Sequence, residues 1–290
     1  MAAVSKVSPL TARRRLGAAL RKLRDDHALT TEEVGAHLEC HNSKVSRIEL
    51  GKRACTPKDF KGLMELYEVD DTQAEELEAL MKRARQRVPP WWHAYNDVIS
   101  TNYSEFIAYE AEASRCREYQ TVIIPGLLQT EAYAHAVTAG GYAALGPDQV
   151  EELVEVRMRR QRRLYEDDVL FLEVVMTEAA LRLQVGGPEA MREQLRKLRE
   201  VAELPHVELR VIPFEAGGKA TSTGAFTLFT SEKDEDGDVA FTESAEATLR
   251  THDDLMVTRR LNRLFRNLTA AALPPRDTLD LVQRIESELV

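Results

Sequence analysis

Residues Leu29 to Arg53 read LTTEEVGAHLECHNSKVSRIELGKR, and their spacing predicts two short helices joined by a tight turn. The first helix is expected to start at Thr30 or Thr31, either of which offers a hydroxyl N-cap. Glu33 stands three residues after Thr30, the arrangement of a capping box. The first helix buries Val34 and Leu38. After a turn around Glu39 and Cys40, Val45 and Ile48 fall three apart and face inward, which directs Asn42, Ser43, Lys44, Ser46 and Arg47 to solvent. The second helix therefore presents a polar, basic outer face.

Thr31, Val34, Leu38, Val45, Ile48 and the run Glu49-Leu50-Gly51 resemble the pattern of the Cro/repressor-type (Xre) helix-turn-helix family. The likeness extends to flanking helices over residues 11–87, so the resemblance implies a λ-repressor-like, all-α N-terminal domain. In that family the second helix of the pair lies in the major groove of DNA with its N-terminal residues at the base edges. The resemblance then implies that His41, Asn42, Ser43 and Arg47 face bases, with Lys44 near base or phosphate. Thr31, Lys52 and Arg53 would contact phosphates. Side-chain chemistry agrees: Arg bonds guanine O6 and N7 bidentately, Asn does the same for adenine, and lysines supply sequence-blind affinity. Arg24 and Glu49 match the family's internal ion pair. Two positions depart from the pattern. Glu39 stands where a turn glycine is usual, so a non-glycine residue is expected at positive φ. Thr31 replaces the usual glutamine.

Charge points the same way. The chain of 290 residues carries a net charge of −9, while residues 1–88 hold 17 basic and 14 acidic residues, a net +3 that leaves −12 for the remainder. An acidic protein with a basic N-terminal end is the expected profile of a DNA reader joined to a different kind of domain. The length allows a second core of substantial size. Three scattered cysteines, Cys40, Cys55 and Cys116, have neither metal-ligand spacing nor a disulfide framework, and no signal-peptide pattern or long apolar span is present. Together these lead us to expect a reducing cytoplasm, no metal and no cofactor.

A helix over Gln73–Arg87 is expected to stop at Val88-Pro89-Pro90, dividing the chain into an N-terminal domain over 1–88 and a C-terminal α+β domain over 89–290. The second part opens on Trp91-Trp92-His93-Ala94-Tyr95, followed by Tyr103, Phe106 and Tyr109. Such a concentration of rings is either an aromatic-lined ligand pocket or packing between domains or subunits. Next comes Tyr119-Gln120-Thr121-Val122-Ile123-Ile124-Pro125-Gly126-Leu127-Leu128-Gln129-Thr130. It resembles the IPGLLQT segment of the large domain that follows an Xre module in actinobacterial regulators of the WhiJ-like type. Trp91-Trp92, Glu178, Arg182, the Gly186-Gly187-Pro188 turn and Glu243 suit the same family. Membership implies a transcriptional regulator encoded beside a small partner protein, in an arrangement compared with toxin and antitoxin.

Patterning in the C-terminal domain predicts helices over 103–118, 130–139 and 148–166, then a strand over Val169–Met176 whose nearly continuous apolar run implies burial on both faces. A helix follows Pro188 and a strand spans Val207–Ile212. A hairpin of 225–230 and 238–243 turns at Asp234-Glu235-Asp236-Gly237, and helices begin near Asp253 and Arg276. Catalytic motifs are lacking: Gly217-Gly218-Lys219 fails as a Walker A, and no H-E-x-x-H, G-x-S-x-G or C-x-x-C occurs. Glu173, Glu178 and Glu243 would form a carboxylate cluster only if the 169–176 strand neighbours the hairpin; otherwise they anchor arginines such as Arg182. The run Arg157, Arg159, Arg160, Arg162, Arg163 is read as a solvated helix face or a docking face for an acidic partner.

These readings lead to a regulator rather than an enzyme: a homodimer on a two-fold DNA operator, switched through its C-terminal domain by a small partner protein. The alternatives are a small-molecule ligand held by Trp91, Trp92, Tyr95 and Tyr109 with Glu178, Arg182 and Glu243, or an enzyme with a DNA-targeting module.

Overall fold

Thr30 starts the second helix of the chain as its spacing predicts. Its hydroxyl accepts from the Glu33 amide, and the Glu33 carboxylate takes the Thr30 amide at 2.8 Å. In the computed structural model, which describes residues 9–51, 53–86, 89–141, 146–166, 168–220, 224–230, 238–243, 249–252 and 254–289, that helix is one of five in the first of two units. The units are Met1–Trp91 and Trp92–Val290.

The first unit contains α1 (Pro9–Asp26), α2 (Thr31–His37), α3 (Asn42–Glu49), α4 (Pro57–Leu66) and α5 (Asp71–Ala84). Side chains cap each start after the first: Thr30, His41, Thr56 and Asp70 accept from backbone amides of the first turn. Their apolar stripes meet in one core of Leu16, Leu20, Val34, Val45, Ile48, Leu63, Tyr67 and Met81. Two close approaches require glycine. A Cβ on Gly17 would lie 2.4 Å from the Glu49 carbonyl oxygen, and one on Gly35 would lie 2.8 Å from that of Cys40. The turn between α2 and α3 passes through Glu39 at φ +53°, the left-handed residue expected at the position where the family has glycine.

The second unit is built on a six-stranded mixed sheet in the order β3-β2-β1-β4-β5-β6. Its strands are β1 (Arg115–Gln120), β2 (Phe171–Thr177), β3 (Val207–Ile212), β4 (Phe226–Thr230), β5 (Val239–Glu243) and β6 (Leu249–His252). The first three are parallel and the rest antiparallel. Helices α6 (Thr101–Glu112), α7 (Glu131–Gly141), α8 (Pro147–Arg160), α9 (Glu178–Arg182), α10 (Gly187–Val201), α11 (Leu255–Ala271) and α12 (Pro275–Glu288) complete the fold. On one face Leu172, Val174, Met176, Leu209 and Val211 pack with Leu195 and Leu198 of α10 and Val282 and Ile285 of α12. On the other face Tyr119, Val175, Ile212 and Leu228 meet Phe265 and Leu268 of α11. Strand β2 is therefore covered on both sides, as its apolar run implies.

Three expectations are corrected. The helix predicted over 103–118 ends at Glu112, and residues 115–120 form β1, the strand that joins the parallel and antiparallel halves. Arg-Cys-Arg-Glu-Tyr-Gln has little strand character, but pairing with β2 and β4 overrides propensity. Its two arginines find partners: Arg115 pairs with Glu173, and Arg117 bonds Asp238 and Thr230. The carboxylate cluster of Glu173, Glu178 and Glu243 does not form, because β1 and β4 separate β2 from β5. The arginine run is neither a solvated nor a docking face at Arg160 and Arg163, which are buried. The hairpin strands 226–230 and 239–243 pair as expected; the Asp234–Gly237 turn lies outside the described residues.

Candidate nucleic-acid interface

Val45 and Ile48 anchor α3 in the core and leave Asn42, Ser43, Ser46 and Arg47 on the outer side. The helix begins at His41, whose ring nitrogen Nδ1 accepts from the Ser43 amide at 3.2 Å and lies 3.0 Å from the Ser43 hydroxyl. His41, Ser43 and Arg47 are exposed. Arg47 donates from Nε to the Ser43 carbonyl at 3.0 Å, which lays its stem along the helix and leaves the terminal nitrogens available to a ligand. Asn42 donates to the Glu32 carboxylate of α2, and this bond is the main cause that holds Glu32 below the usual carboxylate range. Thr31 donates to the same carboxylate at 3.1 Å.

Lys44 is placed differently from the surface residue that the spacing suggests. Its ammonium lies 2.7 Å from Asp59, a buried carboxylate that also accepts the Thr56 hydroxyl at 2.7 Å. Burial pushes the Asp59 carboxyl up, but Lys44 and Thr56 together hold it below its ordinary value. Lys44 thus ties α3 to α4. Arg53 is exposed, and its amide donates to the Arg47 carbonyl at 2.9 Å; Lys52 lies outside the described residues.

The ion pair of Arg24 and Glu49 is present and bidentate, at 2.7 and 3.1 Å, and a third donor of Arg24 reaches the Leu29 carbonyl at 2.9 Å. The Glu49 bond raises the Arg24 guanidinium above its ordinary value, against the opposing effect of burial. This pair fixes α1 to the end of α3 and so sets the angle at which the outer face is offered.

The effector residues expected in the second unit do not gather at one place. Glu178 is buried and spends both oxygens, accepting from Arg182 at 2.6 Å and from the Phe214 amide at 2.9 Å; Arg182 also reaches Glu288 at 2.8 Å. That is anchoring. Trp92 is buried, Tyr95 bonds Glu155, and Tyr109 stands edge-on to Phe241 at 5.5 Å. A cavity of about 90 Å³ lies nearby in the same unit, lined by Glu243 and by rings of Tyr103, Phe106, Phe226 and Phe241 rather than by Trp91, Trp92, Tyr95 or Tyr109.

The IPGLLQT segment borders this cavity through Ile123, Gly126 and Gln129. Side chains hold its backbone: Gln161 bonds the Gly126 and Gln129 carbonyls, Gln194 bonds the Leu128 carbonyl, and Lys197 bonds that of Gln129. Beneath it Arg160 makes a bidentate pair with Glu110 at 2.7 and 2.6 Å, donates to the Tyr103 hydroxyl at 2.8 Å and lies over the Phe106 ring. Sequence reasoning missed Glu110, Glu118 and Arg160 as a group. Their one signal was a charge in the middle of otherwise buried elements.

No helix among the described residues is long and apolar enough to cross a membrane, and among them no cluster of His, Cys, Asp or Glu could hold a metal ion. No curated protein and no solved structure matches the chain. A helix-turn-helix domain matches residues 15–77, which supports an Xre-like, DNA-binding regulator. Residues 103–284, more than half of the chain, match a second family, and the protein belongs to it: Domain of unknown function (DUF5753).

Proposed function

We propose that the chain is a sequence-specific transcriptional regulator of the WhiJ-like type. In this reading residues 1–88 read DNA, and residues 89–290 set the DNA-binding state in response to a small partner protein encoded nearby. The observation that carries the first half is the outer face of α3, where His41, Asn42 and Ser43 at the N-terminal end and Arg47 in the last turn stand clear of the core on a helix braced by the Arg24–Glu49 pair. Arg47 would supply a bidentate contact to guanine and Asn42 one to adenine. Thr31, Lys52 and Arg53 would hold phosphates. Lys44 would contribute through Asp59 and the setting of α3 more than through a phosphate of its own.

One small recognition helix buries limited surface, so we infer a homodimer on a palindromic operator with half-sites about 34 Å apart. Light scattering of the free protein and of its DNA complex tests this; monomer in both samples would refute it. The partner reading rests on the family resemblance and is tested by mixing the protein with the product of the adjacent gene and measuring operator affinity. A second reading, control by a small molecule, is favoured by the cavity beside the IPGLLQT segment. Ligands there would raise the melting temperature, by an amount that grows with the logarithm of ligand concentration once the site is saturated.

A further inference from the structure

Three features with no role in DNA reading converge on the cavity of the second unit: the IPGLLQT segment through Ile123, Gly126 and Gln129, the arginine run through Arg157 and Arg160, and Glu243. At its lining sits Glu118, 6% exposed, on a central strand where an apolar residue would be ordinary. One Glu118 oxygen accepts from Gln120 at 2.9 Å. Glu118 makes no ion pair among the described residues, and a buried carboxylate that lines a cavity without one calls for an explanation.

The surrounding charges decide what could satisfy it. From α6 comes Glu110 and from α8 Arg160, and these two cancel in their bidentate pair. Arg157, also on α8, donates to Gln129 at 3.0 Å and attracts Glu243 of β5, which is exposed. Gln120 and Gln129 are neutral. Three carboxylates, Glu110, Glu118 and Glu243, thus face two guanidiniums, Arg157 and Arg160, and with Arg160 spent on Glu110 the site keeps one negative charge in excess. A complement to it must carry positive charge, donate hydrogen bonds and be small, since about 90 Å³ holds only a short chain or the head of a larger molecule. The rings of Phe226 and Phe241 suit the methylene groups next to such a head.

We propose that this cavity binds the ammonium head of a small primary amine, with Glu118 as its carboxylate partner and Glu243 as a second carboxylate on the lining. The assignment stands on the second unit alone and is independent of the DNA-binding reading. Burial raises the Glu118 carboxyl from its ordinary range to about 7, with the Gln120 bond and Arg160 opposing and Glu110 and Glu243 reinforcing the rise. At pH 6 the carboxyl is therefore mostly protonated. Binding an ammonium there ionises it and releases the proton to solvent. At pH 8 the carboxylate is already mostly formed and little proton leaves.

The test titrates the full-length protein, without DNA, with ethylammonium chloride, using sodium chloride at equal ionic strength and n-propanol as controls. Calorimetry is run at pH 6 and pH 8 in buffers of different ionisation enthalpy. The expected result is saturable binding, release of about 0.9 proton at pH 6 falling to about 0.1 at pH 8, and affinity about tenfold tighter at pH 8. Glu118→Gln should abolish the proton release and weaken binding at least tenfold. Glu243→Gln, at an exposed position, should weaken binding less and reduce the proton release at pH 6 only slightly, since Glu243 is the smallest of the causes that raise Glu118. A purely structural Glu118 would change the melting temperature of E118Q but give no amine-linked proton release in the wild type. Absence of binding by the wild type up to 100 mM ethylammonium, or binding without proton release at pH 6, would overturn the assignment. So would E118Q binding as tightly as the wild type, and these outcomes leave the DNA-binding reading untouched.

Discussion

Replacing Glu110 by Gln should destabilise the sheet domain by about 3–5 kcal/mol, the cost of removing one partner from a buried ion pair. The structure places this variant at the upper end of single-residue effects. Both partners are almost wholly buried, Glu110 at 3% and Arg160 at 8% exposure, and both carboxylate oxygens are used, at 2.7 and 2.6 Å. A Gln side chain keeps one acceptor but turns an NH2 group toward a guanidinium that can only donate. Arg160 retains the Tyr103 hydroxyl at 2.8 Å and the Phe106 face, and neither neutralises its charge. At about 2–4 °C per kcal/mol for a domain of this size, the expected drop in Tm is about 6–20 °C. Scanning calorimetry of the full chain reads this directly. The double variant Glu110→Leu/Arg160→Met should recover much of the loss, because a buried pair replaced by apolar side chains of similar volume leaves no orphaned charge. A loss below about 1 kcal/mol in E110Q, or a double variant as unstable as the two single changes added together, would refute the argument that the pair is buried and mutually dependent.

Other outcomes follow from the same geometry. Glu118 has a folded-state pKa of about 7, raised by burial, so its stabilising contribution is complete at acidic pH and is lost as the pH rises from about 4.5 to about 7. The loss amounts to about 3 kcal/mol at 1.36 kcal/mol per unit. Urea denaturation across that range should show the decline in the wild type and a flatter profile in E118Q. Asp59 acts in the opposite sense: its carboxyl is held low by Lys44 and Thr56 against burial, so its contribution is present above pH 4 and lost on further acidification. Lys44→Met should remove that acid sensitivity. Gly35→Ala places a methyl 2.8 Å from the Cys40 carbonyl oxygen and should cost about 1–3 kcal/mol in the helical domain, measured by its thermal transition. Arg47→Ala should lose about 1–3 kcal/mol of operator affinity and relax sequence preference, while Lys52→Ala should weaken all sequences alike and reduce the salt slope.

Local chemistry made the helical unit readable from the chain. The capping box at Thr30, the left-handed Glu39 and the Arg24–Glu49 pair each depend on residues whose meaning is set within a few positions or by a recognisable pattern. Strand β2 was equally legible, since an apolar run of that length has to be covered on both faces. Strand β1 was not. Its alternation of Arg, Cys, Arg, Glu, Tyr and Gln carries four polar side chains whose partners, Glu173, Asp238 and Thr230 among them, lie far away in sequence. The arginine run failed for the same reason: nothing near Arg160 in sequence announces Glu110, fifty positions earlier. Of the aromatic run singled out from Trp91 to Tyr109, Tyr103 and Phe106 line the cavity, and ring count does not tell which rings border a cavity and which are simply packed. Glu243 was singled out through resemblance, and its place beside Glu118 came only with the sheet order.

The central claim, that the outer face of α3 reads a defined DNA sequence, is tested most directly by incubating the full-length protein with sheared genomic DNA from its source organism at near-physiological salt and sequencing what is retained. The account predicts enrichment of one short two-fold sequence, lost with Arg47→Ala. Retained fragments with no shared sequence, or the same enrichment by the Arg47→Ala protein, would contradict it.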